Sequence, residues 1–181
     1  FKSEYPSNDI EAFQSTGRGF FNQAHVDKLR ETCVDPVFVG DIQATETYGA
    51  EALEDIQYIK KPDGNLSVWQ FPETEEKMID RYVVVVDVSY GMSKDADKGI
   101  IVVFDRYWMH EPGGIPEVVA QWGGGMNIPT HYLIWKAAQI ATLYDNALLV
   151  IESNTTESRQ TAGFEYEAVL DEIANYYSNI Y

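Results

Sequence analysis

Tyr82-Val83-Val84-Val85-Val86-Asp87-Val88-Ser89-Tyr90-Gly91 decides how the rest of the chain is read. The valine run predicts a strand buried on both faces, because no polar position alternates with the β-branched ones. Asp87 then stands at the carboxyl end of that strand, beside a glycine turn that leaves it open. In α/β sheets, ligands and metals collect at that edge. Ala147-Leu148-Leu149-Val150-Ile151-Glu152-Ser153-Asn154 repeats the pattern further on. Two buried strands, each delivering an acid to the same edge, predict a carboxylate metal site.

The order of elements around these strands is regular from Arg81 onward. A second strand is expected from Gly99 to about Tyr107, and Pro112-Gly113-Gly114 is a turn. A third runs from Glu117 to about Trp122, and Gly123-Gly124-Gly125 ends it. Thr130 is expected to cap a helix whose apolar positions are Leu133, Ala137, Ala138, Ala141 and Tyr144. After the strand at 147–151, a last helix is expected from about Phe164 to Tyr177, with Val169, Ile173 and Tyr177 four apart. Short turns make the first three strands an antiparallel meander. The helical crossover returns the fourth parallel to the first, and the place left for it is beside that strand. Asp87 and Glu152 would then end neighbouring strands, about 5 Å apart.

Residues 1–80 read as an N-terminal arm with linker helices and a hairpin, and 81–181 as the core. Asn8 and Glu11 have the spacing of an N-cap and its partner. Ser15-Thr16-Gly17-Arg18-Gly19 is a turn, and Phe20 to Cys33 is expected to be helical, with Phe21, Ala24, Leu29 and Cys33 on its apolar side. Pro62-Asp63-Gly64-Asn65 predicts a hairpin between Ile56–Ile59 and Leu66–Phe71.

Composition narrows the function classes. The 181 residues suffice for one domain with a full core, or a domain plus an arm. No segment approaches the roughly 18 apolar residues of a membrane span, so no membrane association is expected. The opening residues are polar and carry no apolar signal-peptide region. Cys33 is the single cysteine, which leaves no disulfide framework or thiolate zinc site and points to a reducing cytosol. His25, His110 and His131 are scattered and read as surface or packing residues. A formal net charge of -16 argues against a simple nucleic-acid-binding module. It permits an enzyme whose acids gather divalent metal.

These motifs carry a family resemblance. Glu4-Tyr5-Pro6-Ser7 with Glu11-Ala12-Phe13, then Asp63-Gly64-Asn65-Leu66-Ser67-Val68-Trp69 and Pro72, resemble a linker and the hairpin that follows it. Asp87-Val88-Ser89-Tyr90-Gly91 with Asp97, and Val150-Ile151-Glu152-Ser153-Asn154, resemble two catalytic motifs. Together they are similar to the nuclease domain of the large terminase subunit of tailed bacteriophages. The resemblance covers most of the chain. It implies a ribonuclease H-like α/β fold: a mixed sheet with strands 1–3 antiparallel and strand 4 parallel beside strand 1, flanked by helices. It implies an endonuclease that cuts concatemeric double-stranded DNA during packaging, in the cytoplasm of the bacterial host or from a prophage. The partners implied are an ATPase domain ahead of residue 1, where a phosphate-binding loop would lie, the small terminase subunit and the portal protein.

Phosphodiester hydrolysis needs a deprotonated water and a way to hold charge on the phosphate and leaving oxygen. Two divalent ions about 4 Å apart meet both needs. Mg²⁺ or Mn²⁺, hard ions, take oxygen ligands. Asp87 is assigned as the bridging carboxylate and Glu152 as a ligand to one ion, and both as catalytic. Asp97 is a further ligand opening the second strand, with Asp95 behind it in the same loop. The family carries a third acid near the end of its nuclease; here that leaves Asp171 on the last helix or an acid past Tyr181, the core then being truncated. Thr155-Thr156-Glu157 stand where the family often has a glycine, which here comes only at Gly163.

The plainer readings are a strand-ending turn for Asp87 and Glu152, and a solvated loop for Asp97 among Lys94, Asp95 and Lys98. Gly123-Gly124-Gly125 could let a DNA backbone approach closely, against the plainer role of ending a strand. Trp122, Tyr132 and Trp135 could stack on bases, against packing in the core and rim. Three rival functions remain. A Walker B strand lacks a preceding phosphate loop, and an actin-like sugar kinase needs a second such loop and more chain. A non-catalytic docking or metal-binding module of a packaging protein fits the acidic charge.

Overall fold

Tyr82, Val84, Val86 and Val88 are buried, Val83 and Val85 between them are half-buried, and Asp87 is exposed. The valine run is therefore covered unequally, one face fully and the other in part. This comes from a computed structural model, which describes residues 22–73, 75, 78–88, 99–123, 128–152 and 168–181. The chain divides into two units, Phe1–Asp35 and Pro36–Tyr181.

In the first unit, helix α1 (Gln23–Arg30) is the described element. Asn22 caps it, its side-chain oxygen accepting from the Ala24 N–H at 3.0 Å. Lys28 and Arg30 stand in the last turn, where cations offset the carboxyl end of the helix dipole. The helix is shorter than the Phe20–Cys33 expectation at its carboxyl end, and Leu29 and Cys33 are exposed. Residues 1–21, including the Asn8–Glu11 signal, lie outside the described residues.

The second unit is built on one sheet. Its strands are β1 (Phe38–Gln43), β2 (Gln57–Lys60), β3 (Leu66–Val68), β4 (Tyr82–Asp87), β5 (Ile100–Asp105), β6 (Glu117–Gly123) and β7 (Leu148–Ile151). Helix α2 (Thr130–Leu143) and a helical segment over 168–174, α3, complete the described elements, with short 3-10 turns at Ala50–Leu53 and Tyr107–His110. The order across the sheet is β2-β1-β3-β6-β5-β4-β7. The meander β4-β5-β6 is antiparallel and β7 is parallel beside β4, both as expected. Residues 36–80, grouped above with the arm, add three antiparallel strands to the β6 side.

The predicted hairpin at Pro62–Asn65 does not form. β2 and β3 both pair with β1, which lies between them. The turn instead crosses over β1, and Gly40 pairs with Lys60 on one side and Leu66 on the other. A Cβ at Gly64 would collide with the main chain of Gly40. Two backbones can cross this closely only where one carries no side chain. Gly64→Ala is therefore expected to lower stability by about 1–3 kcal/mol, read as a reduced urea midpoint with unchanged slope. An unchanged midpoint would contradict the crossing.

One face of the sheet carries an unbroken buried row, with Leu66, Trp122, Ile101, Val86 and Ile151 side by side in register. α2 packs against β4 and β7, and residues Leu133 to Ala141 along it are all buried. Ala137, Ala138 and Ala141 are small enough to bring a helix close to a sheet. The helix begins one residue away from the expected cap. Pro129 occupies the N-cap, its carbonyl accepting from Leu133 N–H at 3.0 Å, and Thr130 is already helical. Val169, Ile173 and Tyr177 are buried, as their spacing predicted. Past α3 the chain returns to the outer side of β7. Leu149 N–H donates to Asn179 O and Tyr181 N–H to Leu149 O, both at 2.9 Å, which makes a parallel bridge at Ile180.

Three tyrosines in or against the core make stability sensitive to alkali. Burial pushes the Tyr58 phenol up to about 12, and burial also raises Tyr144 and Tyr177. In the unfolded chain a phenol titrates near about 10. The folded state then holds protons that the unfolded state releases, so this stability is complete below about pH 10 and is lost as pH rises through the raised values. The urea midpoint should hold to about pH 10 and fall steeply by about pH 12. A urea midpoint that stays unchanged from about pH 10 to about pH 12 would contradict this.

Candidate active site at the carboxyl edge of the sheet

β4 and β7 run in register from Val83↔Leu148 to Val86↔Ile151. The ladder continues one residue further, where Glu152 N–H donates to Val86 O at 3.0 Å. Glu152 therefore stands beside Asp87, at the strand spacing of about 4.8 Å. Side chains alternate along a strand, so Asp87 shares the face of Val83 and Val85, and Glu152 that of Leu148 and Val150. Both carboxylates leave the same face, and both residues are exposed. Val86 and Val88 are buried on either side of Asp87 and fix its main chain. Each contributes about 1.5–3 kcal/mol by burial. On the other flank Asp87 pairs with Ile100, and Ile100 with Gly123. Directly opposed residues share a face. A single row thus runs Glu152, Asp87, Ile100, Gly123 along the edge, and Gly123 N–H donates to Asn65 O at 2.9 Å.

Adjacent exposed carboxylates on fixed strand ends are hard oxygen donors, and they suit Mg²⁺ or Mn²⁺ rather than a soft metal. Among the described residues no group of three or more His, Cys, Asp or Glu that could hold a metal is present, so Asp87 and Glu152 are considered as a pair.

No protein-family model matches this chain, and no curated protein does.

Asp97 and Asp95 lie outside the described residues, as do Ser89–Gly91 and Ser153–Asn154 of the two motifs. Asp171 is exposed on α3. Its neighbour Glu172 reaches His131, Oε2 to Nε2 at 2.9 Å. His131 also stacks on Tyr48 with ring centroids 4.4 Å apart, and the Trp135 indole nitrogen lies 3.2 Å from its Nε2. This histidine ties α3 and the 3-10 region to α2. His110 contacts Tyr107 and Glu111, and His25 is exposed on α1. Trp122 and Trp135 are fully buried and Tyr132 is half-buried against Trp122, which places all three in packing roles. No helix among the described residues is long and apolar enough to cross a membrane.

Two polar features escaped the sequence reading. Lys136 is buried on α2, its ammonium donating to Ile42 O at 3.2 Å and lying 3.8 Å from Asp41 Oδ1. Burial pushes its pKa down, against the pull of Asp41. Arg81 and Asp105 form a buried ion pair at the opposite edge, where β4 begins and β5 ends. The signal for the pair was present. Once the meander is accepted, a residue entering the first strand lies opposite one leaving the second.

Proposed function

We propose that this chain is the nuclease domain of a bacteriophage DNA-packaging terminase, a metal-dependent endonuclease that cuts concatemeric double-stranded DNA by two-metal phosphodiester hydrolysis. The observation that carries the reading is the placement of Asp87 and Glu152, side by side and exposed, at the ends of adjacent parallel strands. A ribonuclease H-like arrangement is supported by the order β6-β5-β4-β7, antiparallel twice and then parallel. The parallel bridge at Ile180, on the outer side of β7, adds to that support.

In this reading Asp87 and Glu152 would hold Mg²⁺ or Mn²⁺, with Asp97 as a further ligand; Asp171 forms no three-acid group with them among the described residues and is left out of the site. Such ions, when bound, polarise the phosphate and lower the pKa of a water. The two neighbouring carboxylates concentrate negative charge at the edge and repel a DNA phosphate until a cation offsets them, so cation and substrate binding are coupled there. The strand ends hold the two acids in a fixed relation, which is what positions a reacting phosphate. The proposed partners are a terminase ATPase domain, the small terminase subunit and the portal protein, in the cytoplasm of the bacterial host.

The net charge of -16 favours a second reading, a docking or metal-binding module, since attraction to DNA is poor at physiological salt. Supercoiled plasmid at low salt separates the two. Nicking with Mn²⁺ or Mg²⁺ that EDTA stops supports the nuclease. A folded chain that binds Mn²⁺ and leaves plasmid intact supports the docking module.

A further inference from the structure

Among the described residues, nothing around Gly123 requires a glycine for folding. Gly40, Gly64, Gly99 and Gly114 each sit where a Cβ would strike a neighbour, and Gly49 and Gly113 hold positive φ. Gly123 does neither among the described residues. Among the described residues the nearest atom to a Cβ built there is Gln121 Nε2, at 3.9 Å. Yet Gly123 is a paired strand residue, opposite Ile100 on one side and bonded to Asn65 on the other. A glycine weakens such a position, and where it persists it often marks a place that another backbone or a ligand approaches closely.

Its position says what would approach. The missing side chain belongs on the same face as Asp87, two strands away, at about 10 Å by strand spacing. Among the described residues, the strand residue between them is Ile100, half-buried and apolar. Among the described residues, the row from Asp87 across Ile100 to Gly123 therefore carries no further charge as it leads away from the acids along the sheet edge.

We infer that Gly123 is a clearance position, which keeps the edge beside Asp87 open so that the sugar–phosphate chain of a nucleic-acid duplex can lie across β5 and β6. This deepens the nuclease reading above and rests on it. A sugar packs readily on Ile100. Any side chain at 123 would stand in the path of the phosphates that flank the one held at Asp87.

Binding of a fluorescently labelled DNA duplex, followed by anisotropy at low salt with Ca²⁺ in place of Mg²⁺, tests this on Gly123→Ala and Gly123→Leu. Val118→Trp, on the far end of β6, serves as the control for added bulk. Both Gly123 variants should melt at or above the wild-type temperature. The dissociation constant should rise with side-chain size, by about tenfold or more for leucine, and stay unchanged in the control. A folded Gly123→Leu chain that binds duplex as the wild type does would overturn the clearance role, and so would a Gly123→Ala chain that melts well below wild type. Plasmid nicking by Asp87→Ala is run alongside. If that variant still cuts, the site assignment underneath the proposal is the part that fails.

Discussion

Asp87→Ala and Glu152→Ala should each lower metal-dependent plasmid nicking by about a thousandfold or more, a loss of about 4 kcal/mol in transition-state stabilisation. Neither should change the fold. Both residues are exposed at strand ends, and substitutions at such places stay within about 1 kcal/mol of wild-type stability. The core that holds them, Val86, Val88 and Ile151 packed beneath α2, is untouched by either change. Asp87→Asn separates charge from shape, because it keeps the volume and one oxygen but removes the negative charge that attracts a cation. It should fall nearly as far as alanine. Initial nicking rates, taken with far-ultraviolet circular dichroism and melting temperatures, check the set. Wild-type rates in both alanine variants would show that the site has been placed wrongly.

The second large effect is on stability and lies at the opposite edge. Arg81 and Asp105 are only 6% and 2% exposed. Arg81 Nε donates to Asp105 Oδ1 at 3.0 Å, and Nη2 donates to Oδ2 at 2.8 Å, a two-point contact that fixes both planes. Nη2 also lies 2.9 Å from Glu73 Oε2, and the guanidinium sits 4.7 Å from the Tyr107 ring centroid. Asp105 Oδ1 accepts from Tyr107 N–H at 2.8 Å as well, so the carboxylate also fixes the turn that leaves β5. The paired carboxylate beside Arg81 pushes its guanidinium pKa upward. Asp105→Ala leaves a buried cation without its main partner, and should destabilise by about 3–5 kcal/mol. In a domain of this size that is a fall in melting temperature of about 10 °C. Replacing both, Arg81→Met with Asp105→Leu, should recover most of the loss, because removing the pair together strands no charge. If the double variant melts no higher than Asp105→Ala, the stranded-charge account is wrong.

The central strands and the edge they share were legible because their signals are local. A run of β-branched residues ending in an acid announces both the strand and the open position after it, and it does so at Asp87 and again at Glu152. The side of β4 on which β7 lies followed from connection rules alone. What was not legible depends on contacts between distant segments. Pro62-Asp63-Gly64-Asn65 has the composition of a hairpin turn, but composition cannot say that Gly64 must pass over Gly40, and that crossing is what puts β1 between β2 and β3. The Thr130 cap was displaced by one residue because Pro129 serves as the N-cap, with an extended backbone ahead of the helix. The two-sided burial expected of the valines is found on one face of β4, where Val84 and Val86 are fully buried, and only in part on the other, where Val83 and Val85 are half-buried. At the site itself, the glycine run at 123 was visible in the chain. Only the register could single out Gly123 as standing in line with Asp87.

The account rests on Asp87 and Glu152 acting as one cation site. Mn²⁺ binding, followed by electron paramagnetic resonance on the wild type and on each alanine variant, reads that without requiring catalysis. The wild type should bind Mn²⁺, and either substitution should weaken it by about tenfold or more, since each removes one of two adjacent oxygen ligands. If Asp87→Ala and Glu152→Ala both bind Mn²⁺ as tightly as the wild type, the two acids do not form a metal centre.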